Sequence, residues 1–165
     1  MKYYIVNLII SFLPISRWFG FKRFLLRFCG AIIRDNVRVM RIRVQGINLI
    51  VDSNTFIGDD TLIMGTEGTN VIIGKNCDIS SRVNIVTGTH HVGTLQQAAG
   101  AGYGEDIIIE DGVWIGFGAT ILHGVTIGKG SIVASGSVVK SNVPQGVLVA
   151  GVPAKIKRNL YDYND

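Results

Sequence analysis

The chain has 165 residues, of which 47% are hydrophobic and only 17% charged, with 21 glycines and a formal net charge of +4. That length suits one domain with a real core, and glycines without a Gly-x-x period exclude a collagen-like fibre. The charge is polarised: residues 1–43 hold nine Lys or Arg and one acid, Asp35, against seven basic and eleven acidic residues in the remainder, which excludes a uniformly basic nucleic-acid binder.

The first element is an apolar run from Tyr3 to Ile15, interrupted by Asn7, Ser11 and Pro14. It is shorter than the roughly 20 residues of a membrane span, and it lacks the cleavage site of a signal peptide. Residues 17–33 then read as an amphipathic helix. Trp18, Phe21, Leu25, Phe28 and Ile32 fall on one stripe, and Arg23, Arg27 and Arg34 on another side. Such a segment either caps the open end of the structure that follows or lies on an anionic membrane. Residues 1–32 are thus expected to form an N-terminal helical segment, with capping as the simpler role. Cys29 and Cys77 have no CxxC or Cys/His spacing, so they read as two buried thiols of a cytoplasmic protein.

From residue 33 the chain repeats every six residues. Ile33, Val39, Val51, Ile57 and Ile63 hold the first position, with Gln45 as a polar exception. After a four-residue slip near Glu67–Asn70 the step resumes at Ile73, Ile79 and Ile85. It returns at Ile109 and runs through Ile115, Ile121, Ile127, Val133 and Val139. The fourth position carries Asn36, Asn48, Asn54, Asp60, Asn76 and Gly88 early on, and Gly112, Gly118, Gly124, Gly130 and Gly136 later. Six is a multiple of the strand period of two, so one face stays inward; it does not fit the helical 3.6. Gly, Asn and Asp tolerate left-handed backbone angles, so each short strand can end in a bend. Strands with regular corners build a solenoid, expected over residues 33–148.

Ile85 and Ile109 are separated by 24 residues, of which one hexad fits. His91–Ile108 carries no repeat, so an excursion loop is expected at 91–108. His90 is the last residue before it, and Trp114 is the sixth residue of the next hexad. The hexad count places the two at adjacent corners of one prism. They meet only if neighbouring chains face each other, so the register suggests a composite site in a three-fold assembly. Residues 149–165 form a C-terminal tail.

The hexad pattern resembles the hexapeptide-repeat acyltransferases. That resemblance implies a mostly β fold, a left-handed parallel β-helix of about five coils. ThrGlyThrHisHis at 87–91 followed by ValTrpIleGly at 113–116 is similar to segments of the galactoside, maltose and xenobiotic acetyltransferases. The resemblance makes His90 the catalytic base, taking the proton of a sugar hydroxyl as it attacks the acetyl-CoA thioester, with a backbone N–H steadying the oxyanion. It sets Trp114 beside the cofactor arm, where subunit packing is an equal reading. His91 stands where the family has Pro and either orients the acceptor or is a bystander. Asn84, Asp60 and Glu67 are the acceptor-side candidates.

Residues 134–158 resemble the acetyl-CoA-binding end of the same enzymes. Ser135 matches a pantetheine contact, Lys140 lies one residue from a lysine slot, and Lys155 and Arg158 match basic positions near the adenosine phosphate. The leader resembles that of capsule and O-antigen acetyltransferases, which implies a homotrimer acting on a bacterial surface saccharide, cytoplasmic or peripheral at the inner face of the membrane. Two rivals remain. A γ-type carbonic anhydrase needs three zinc histidines, but Phe117 occupies one of those slots, so no metal is expected. The other is a non-catalytic trimeric scaffold.

Overall fold

The computed structural model describes residues 2–161; the last four residues of the C-terminal tail lie outside this range. Two helices precede a parallel β-helix of three faces. The first face stacks Ile32–Ile33, Asn48–Val51, Asn70–Ile73, Ile107–Ile109 and Thr126–Ile127. The second stacks Arg38–Val39, Phe56–Ile57, Asp78–Ile79, Trp114–Ile115, Ile132–Val133 and Val147–Gly151. The antiparallel strand Ala154–Asn159 is added at its end. The third stacks Arg43–Gln45, Leu62–Met64, Asn84–Val86, Thr120–Ile121 and Val138–Val139. Five strands on the first and third faces make five coils.

The hexad explains this architecture. Val39, Val51, Ile57, Ile63, Ile73, Ile79, Ile85 and the later first-position residues are buried along the axis. Burial of each such side chain contributes about 1.5–3 kcal/mol. The corners carry left-handed backbone at Asn36, Asn54, Asp60 and Asn76, and at Gly112 through Gly136 every sixth residue. Arg82 takes the same conformation (φ 58°) without being a residue that favours it.

The first coil departs from the expected phase. Val44, not Gln45, pairs with Ile63 and is buried, while Gln45 is exposed. The inward step there is five residues and then seven. Consequently Gly46 supplies the corner (φ 69°) and Asn48 lies in a strand. Gly88 also lies in a strand and turns no corner.

The N-terminal segment closes the first coil. Helix α1, Lys2–Phe12, buries Val6 and Ile10. Its Asn7 amide donates to the Val44 carbonyl at 2.9 Å and accepts from the Val44 N–H at 3.1 Å. One side chain thereby satisfies both backbone groups that an edge strand would leave open. Helix α2, Phe19–Phe28, adds two guanidinium donors: Arg23 to the Val37 carbonyl and Arg27 to the Ile33 carbonyl, each at 2.8 Å. The buried Lys22 ammonium donates to the Pro14 and Ile15 carbonyls and fixes the turn between the helices. Burial pushes the Lys22 pKa down. The face turned inward is Lys22, Leu25 and Leu26, whereas Trp18, Phe21, Phe28 and Ile32 of the expected stripe are exposed. Aliphatic side chains and arginine donors, not the aromatic stripe, cover this end. Among the described residues no helix is long and apolar enough to cross a membrane.

Ion pairs lace successive coils. Arg41 gives Asp59, one coil further on, two hydrogen bonds of 3.0 and 2.8 Å. These bonds hold the Asp59 carboxyl below the usual carboxylate range. A folded pKa below the unfolded one gives stabilisation that is complete above the unfolded carboxylate pKa, about 4, and lost as pH falls through the folded value. Thermal melts should therefore show Tm declining on acidification below about pH 4. Asp59→Asn should lower Tm at neutral pH and flatten part of that acid limb. An unchanged limb in the variant would assign it to other carboxylates.

Candidate active site at the excursion

The excursion is not a loop without structure. Gly88–Val92 and Ala99–Gly104 form an antiparallel hairpin, so the chain leaves the prism near Thr87 and rejoins it at Ile107. It stands at the corner between the third and first faces, between the third and fourth coils. Its root is pinned by buried hydroxyls, Thr69 and Thr87 at 2.6 Å. Asp106 accepts from the Asn70 N–H at 2.8 Å and the Asn70 amide at 2.9 Å.

This corrects the position expected for His90, which sits on the hairpin and not at a prism corner. His90 lies opposite Gly102 in the ladder, and a Cβ on Gly102 would come within 3.5 Å of the imidazole. Its Nδ1 is 2.9 Å from the Gly100 carbonyl oxygen. A carbonyl only accepts, so Nδ1 carries the proton and Nε2 of the neutral ring is left with its lone pair. A backbone acceptor that fixes one imidazole nitrogen and frees the other is what a general base requires.

Four further side chains link the hairpin to the fourth coil. His91 stacks on Tyr103 with ring centroids 4.2 Å apart, and Tyr103 meets the edge of His123 at 5.7 Å. The His123 Nδ1 lies 3.1 Å from a Glu105 carboxylate oxygen. Sequence reasoning missed Tyr103 and Glu105, and considered His123 only as a histidine of the zinc-binding reading in which Phe117 fills another slot. Nothing in the hexad phase signals them, because the contacts run between the excursion and a corner. His91 is thus a stacking partner within the chain.

The other candidates fall into separate groups. Trp114 is not at a corner: it points outward from the flat second face, half exposed, between Asp78 and Ile132 of the adjacent coils. Ser135 follows Ile132–Val133 on that face, at its corner with the third. Lys155 and Arg158 lie on the antiparallel strand that ends the same sheet. Trp114, Ser135, Lys155 and Arg158 therefore share one face. From the strand of Trp114 to that of Lys155 is three inter-strand steps, roughly 14 Å. Lys140 is exposed and lies apart, at the corner of the hairpin but in the last coil. Asn84 points outward from the third face, its amide 3.5 Å from the Thr120 hydroxyl. Glu67 shares the hairpin's corner one coil earlier and lines a groove of about 580 Å³ with α1, including Lys2, Tyr4 and Asn7. Asp60 is at the opposite corner, 3.6 Å from Arg43 and 3.8 Å from Arg82.

Among the described residues no group of three His, Cys, Asp or Glu could hold a metal ion. Cys77 is buried and Cys29 half-buried, both free, and burial pushes both thiols up. Neither sits at the hairpin.

Comparison with known proteins gives the same picture. Residues 106–141 match the family described as bacterial transferase hexapeptide (six repeats). The chain is 36% identical over 117 residues to the galactoside O-acetyltransferase of Lactococcus lactis subsp. lactis, covering 71% of this chain and 53% of that protein. It spans about half the length of the curated relatives it matches. In structure it is similar to a hexapeptide-repeat-containing acetyltransferase of Vibrio cholerae O1 biovar eltor complexed with acetyl coenzyme A. That similarity has TM-score 0.76 and 28% identity, over 98% of this chain and 86% of the other. It also resembles the polySia-specific acetyltransferase NeuO, with TM-score 0.61 and 26% identity over 82% and 74% of the two chains.

Proposed function

We propose that this chain, a hexapeptide-repeat β-helix protein by its coils and by its likeness to known acetyltransferases, is an acetyl-CoA-dependent O-acetyltransferase acting on a saccharide hydroxyl. The observation that carries the reading is the His90 imidazole, its Nδ1 proton committed to the Gly100 carbonyl and its Nε2 free. Acetyl-CoA is a substrate here and would supply the activated thioester. The part of His90 is to accept the acceptor hydroxyl's proton at Nε2 as that oxygen attacks, and to return it to the leaving sulfur.

The second face offers a fit to an elongated donor carrying phosphates. Trp114 gives an exposed ring for the arm, Ser135 a backbone contact, and Lys155 and Arg158 cations at the far end. Lys140 would join them only across a chain boundary. His90 stands beyond the third face from this group, which supports a homotrimer whose sites each take His90 from one chain and the donor face from its neighbour. The hairpin tip supports this too, since Val92 and Leu95 are 96% and 99% exposed and reach outward. Asn84, His91 and Glu67 remain the acceptor-side residues. The two arginine partners of Asp60 favour an inter-coil ionic link over acceptor contact. Bacterial surface polysaccharide synthesis is the setting we infer.

The test is an acceptor screen with acetyl-CoA and a panel of mono- and oligosaccharides, reading released thiol. Saccharide-dependent release is expected, and its absence across the panel would remove the saccharide reading. Donor binding is checked separately. CoA at one hundred times its Kd should stabilise the fold by about 2.7 kcal/mol, seen as a raised Tm. If neither CoA nor acetyl-CoA shifts Tm, the scaffold reading prevails.

A further inference from the structure

Helix α1 is apolar on both sides. Val6 and Ile10 are buried against the first coil, yet Ile5, Leu8, Ile9 and Phe12 are exposed, Phe12 at 82%. Helices of that composition are ordinarily covered on every side. Helix α2 and Trp18 before it expose Phe21, Phe24 and Phe28 as well, Trp18, Phe21 and Phe24 touching ring to ring and Phe28 lying under Lys2 of α1. Eleven of the nineteen large apolar side chains exposed among the described residues fall within residues 4–32. Exposed apolar groups concentrated in one segment mark an interaction site on a protein surface.

Its charge decides the occupant. Residues 1–34 contain six Lys or Arg and no acid. Lys22 is buried in the turn and Arg27 pairs with Asp35 at 3.5 Å, but Lys2 and Arg17 are exposed, Lys2 lying 5.6 Å from the centre of the Phe28 ring. A second copy would bring two cationic surfaces together and is disfavoured. Each helix is too short to span a bilayer: at 1.5 Å per residue, the 11 residues of α1 reach roughly 16 Å. Apolar and aromatic groups framed by cations on short surface helices match an anionic membrane interface.

We propose that the outer face of α1 and α2 docks on an anionic phospholipid bilayer, both helices lying in the plane of the interface. Phe12 and Phe24 enter the acyl boundary while Lys2 and Arg17 meet phosphates. The proposal is independent of which group the site transfers. The experiment is co-sedimentation of the full chain with vesicles of phosphatidylglycerol and phosphatidylcholine in equal parts, against phosphatidylcholine alone. Partition should be at least tenfold stronger onto the anionic vesicles and fall with salt. The Phe12→Ser/Phe24→Ser double variant should lose at least tenfold in partition. Its Tm should stay near wild type, because both side chains are exposed. Equal binding to the two vesicle types, no binding to either, or full binding by the double variant overturns the proposal. So does a double variant that changes only the oligomeric state, which would make this face a contact between protein chains.

Discussion

Replacing His90 with Ala should reduce acetyl transfer by a factor of about 10² to 10⁴, the usual contribution of a positioned general base. The fold should survive. The ring is partly exposed, and its hydrogen bond to Gly100 is worth roughly 1 kcal/mol. The loss should therefore fall on kcat, with Tm and assembly close to wild type. His90→Gln separates two roles for the ring. Gln can still donate to Gly100 but has no basic nitrogen, so it should be as inactive as Ala if the base is what matters. Recovery of activity in His90→Gln would reduce His90 to a residue that positions the hairpin, and near-normal turnover in His90→Ala would end the assignment. The proposed composite site adds a further readout. Co-assembled chains, one carrying His90→Ala and the other Lys155→Ala/Arg158→Ala, should regain part of the activity that each lacks alone, since some sites draw intact residues from both. No recovery in mixed assemblies would place His90 and the donor face of a single chain in one site.

The second large effect is on stability. Gly58 follows the inward Ile57, and a Cβ there would lie 2.5 Å from the Ser81 backbone nitrogen, 2.6 Å from the Ser80 carbonyl carbon and 2.8 Å from the Ser81 Cα. All three atoms belong to the backbone of the next coil. None can swing aside as a side chain would, so the added methyl must open the stack. Gly58→Ala should cost about 3 kcal/mol, the upper end for overpacking, and lower Tm by roughly 6–12 °C in a chain of this size. Gly20→Ala is the control. That position is in α2, where the new Cβ would meet only the Arg23 side chain at 3.9 Å. Ala is the better helix former, so the control should leave Tm unchanged or slightly raised. Equal responses of the two variants would show that the close approach of the coils is not what demands glycine at 58.

Gly58 also shows why the sequence was readable only in part. The inward aliphatic step was legible because one residue type must recur wherever the coil faces its axis. The left-handed corners were legible because few residues accept that backbone. Gly58, Gly116 and Gly128 have another cause, an approaching neighbour coil, and their glycines look the same on paper. Val44 was hidden for a related reason. A five-residue step followed by a seven-residue step restores the phase by Val51, so the only trace is a polar residue, Gln45, in an apolar slot. The hairpin was illegible altogether. Its second strand is mostly glycine and alanine, and most of its side chains look into solvent, so no alternation was imposed on the sequence. His90 could be singled out because it adjoins the break. Gly100, Tyr103, Glu105 and the place of His123 beside them could not, since they depend on how an unpatterned ribbon folds back.

The ladder across the excursion has an evolutionary consequence. Ile107, Ile108 and Ile109 pair with Val71, Ile72 and Ile73 in unbroken register, as though the residues between the third and fourth coils were absent. The hairpin is spliced into a finished scaffold at two points that already lie side by side. Lengthening or replacing such an insertion changes little more than a loop-closure entropy, about 0.6 kcal/mol for each doubling in length. Descendants of this chain can therefore exchange the ribbon wholesale, and its chemistry with it, without renegotiating a single residue of the core.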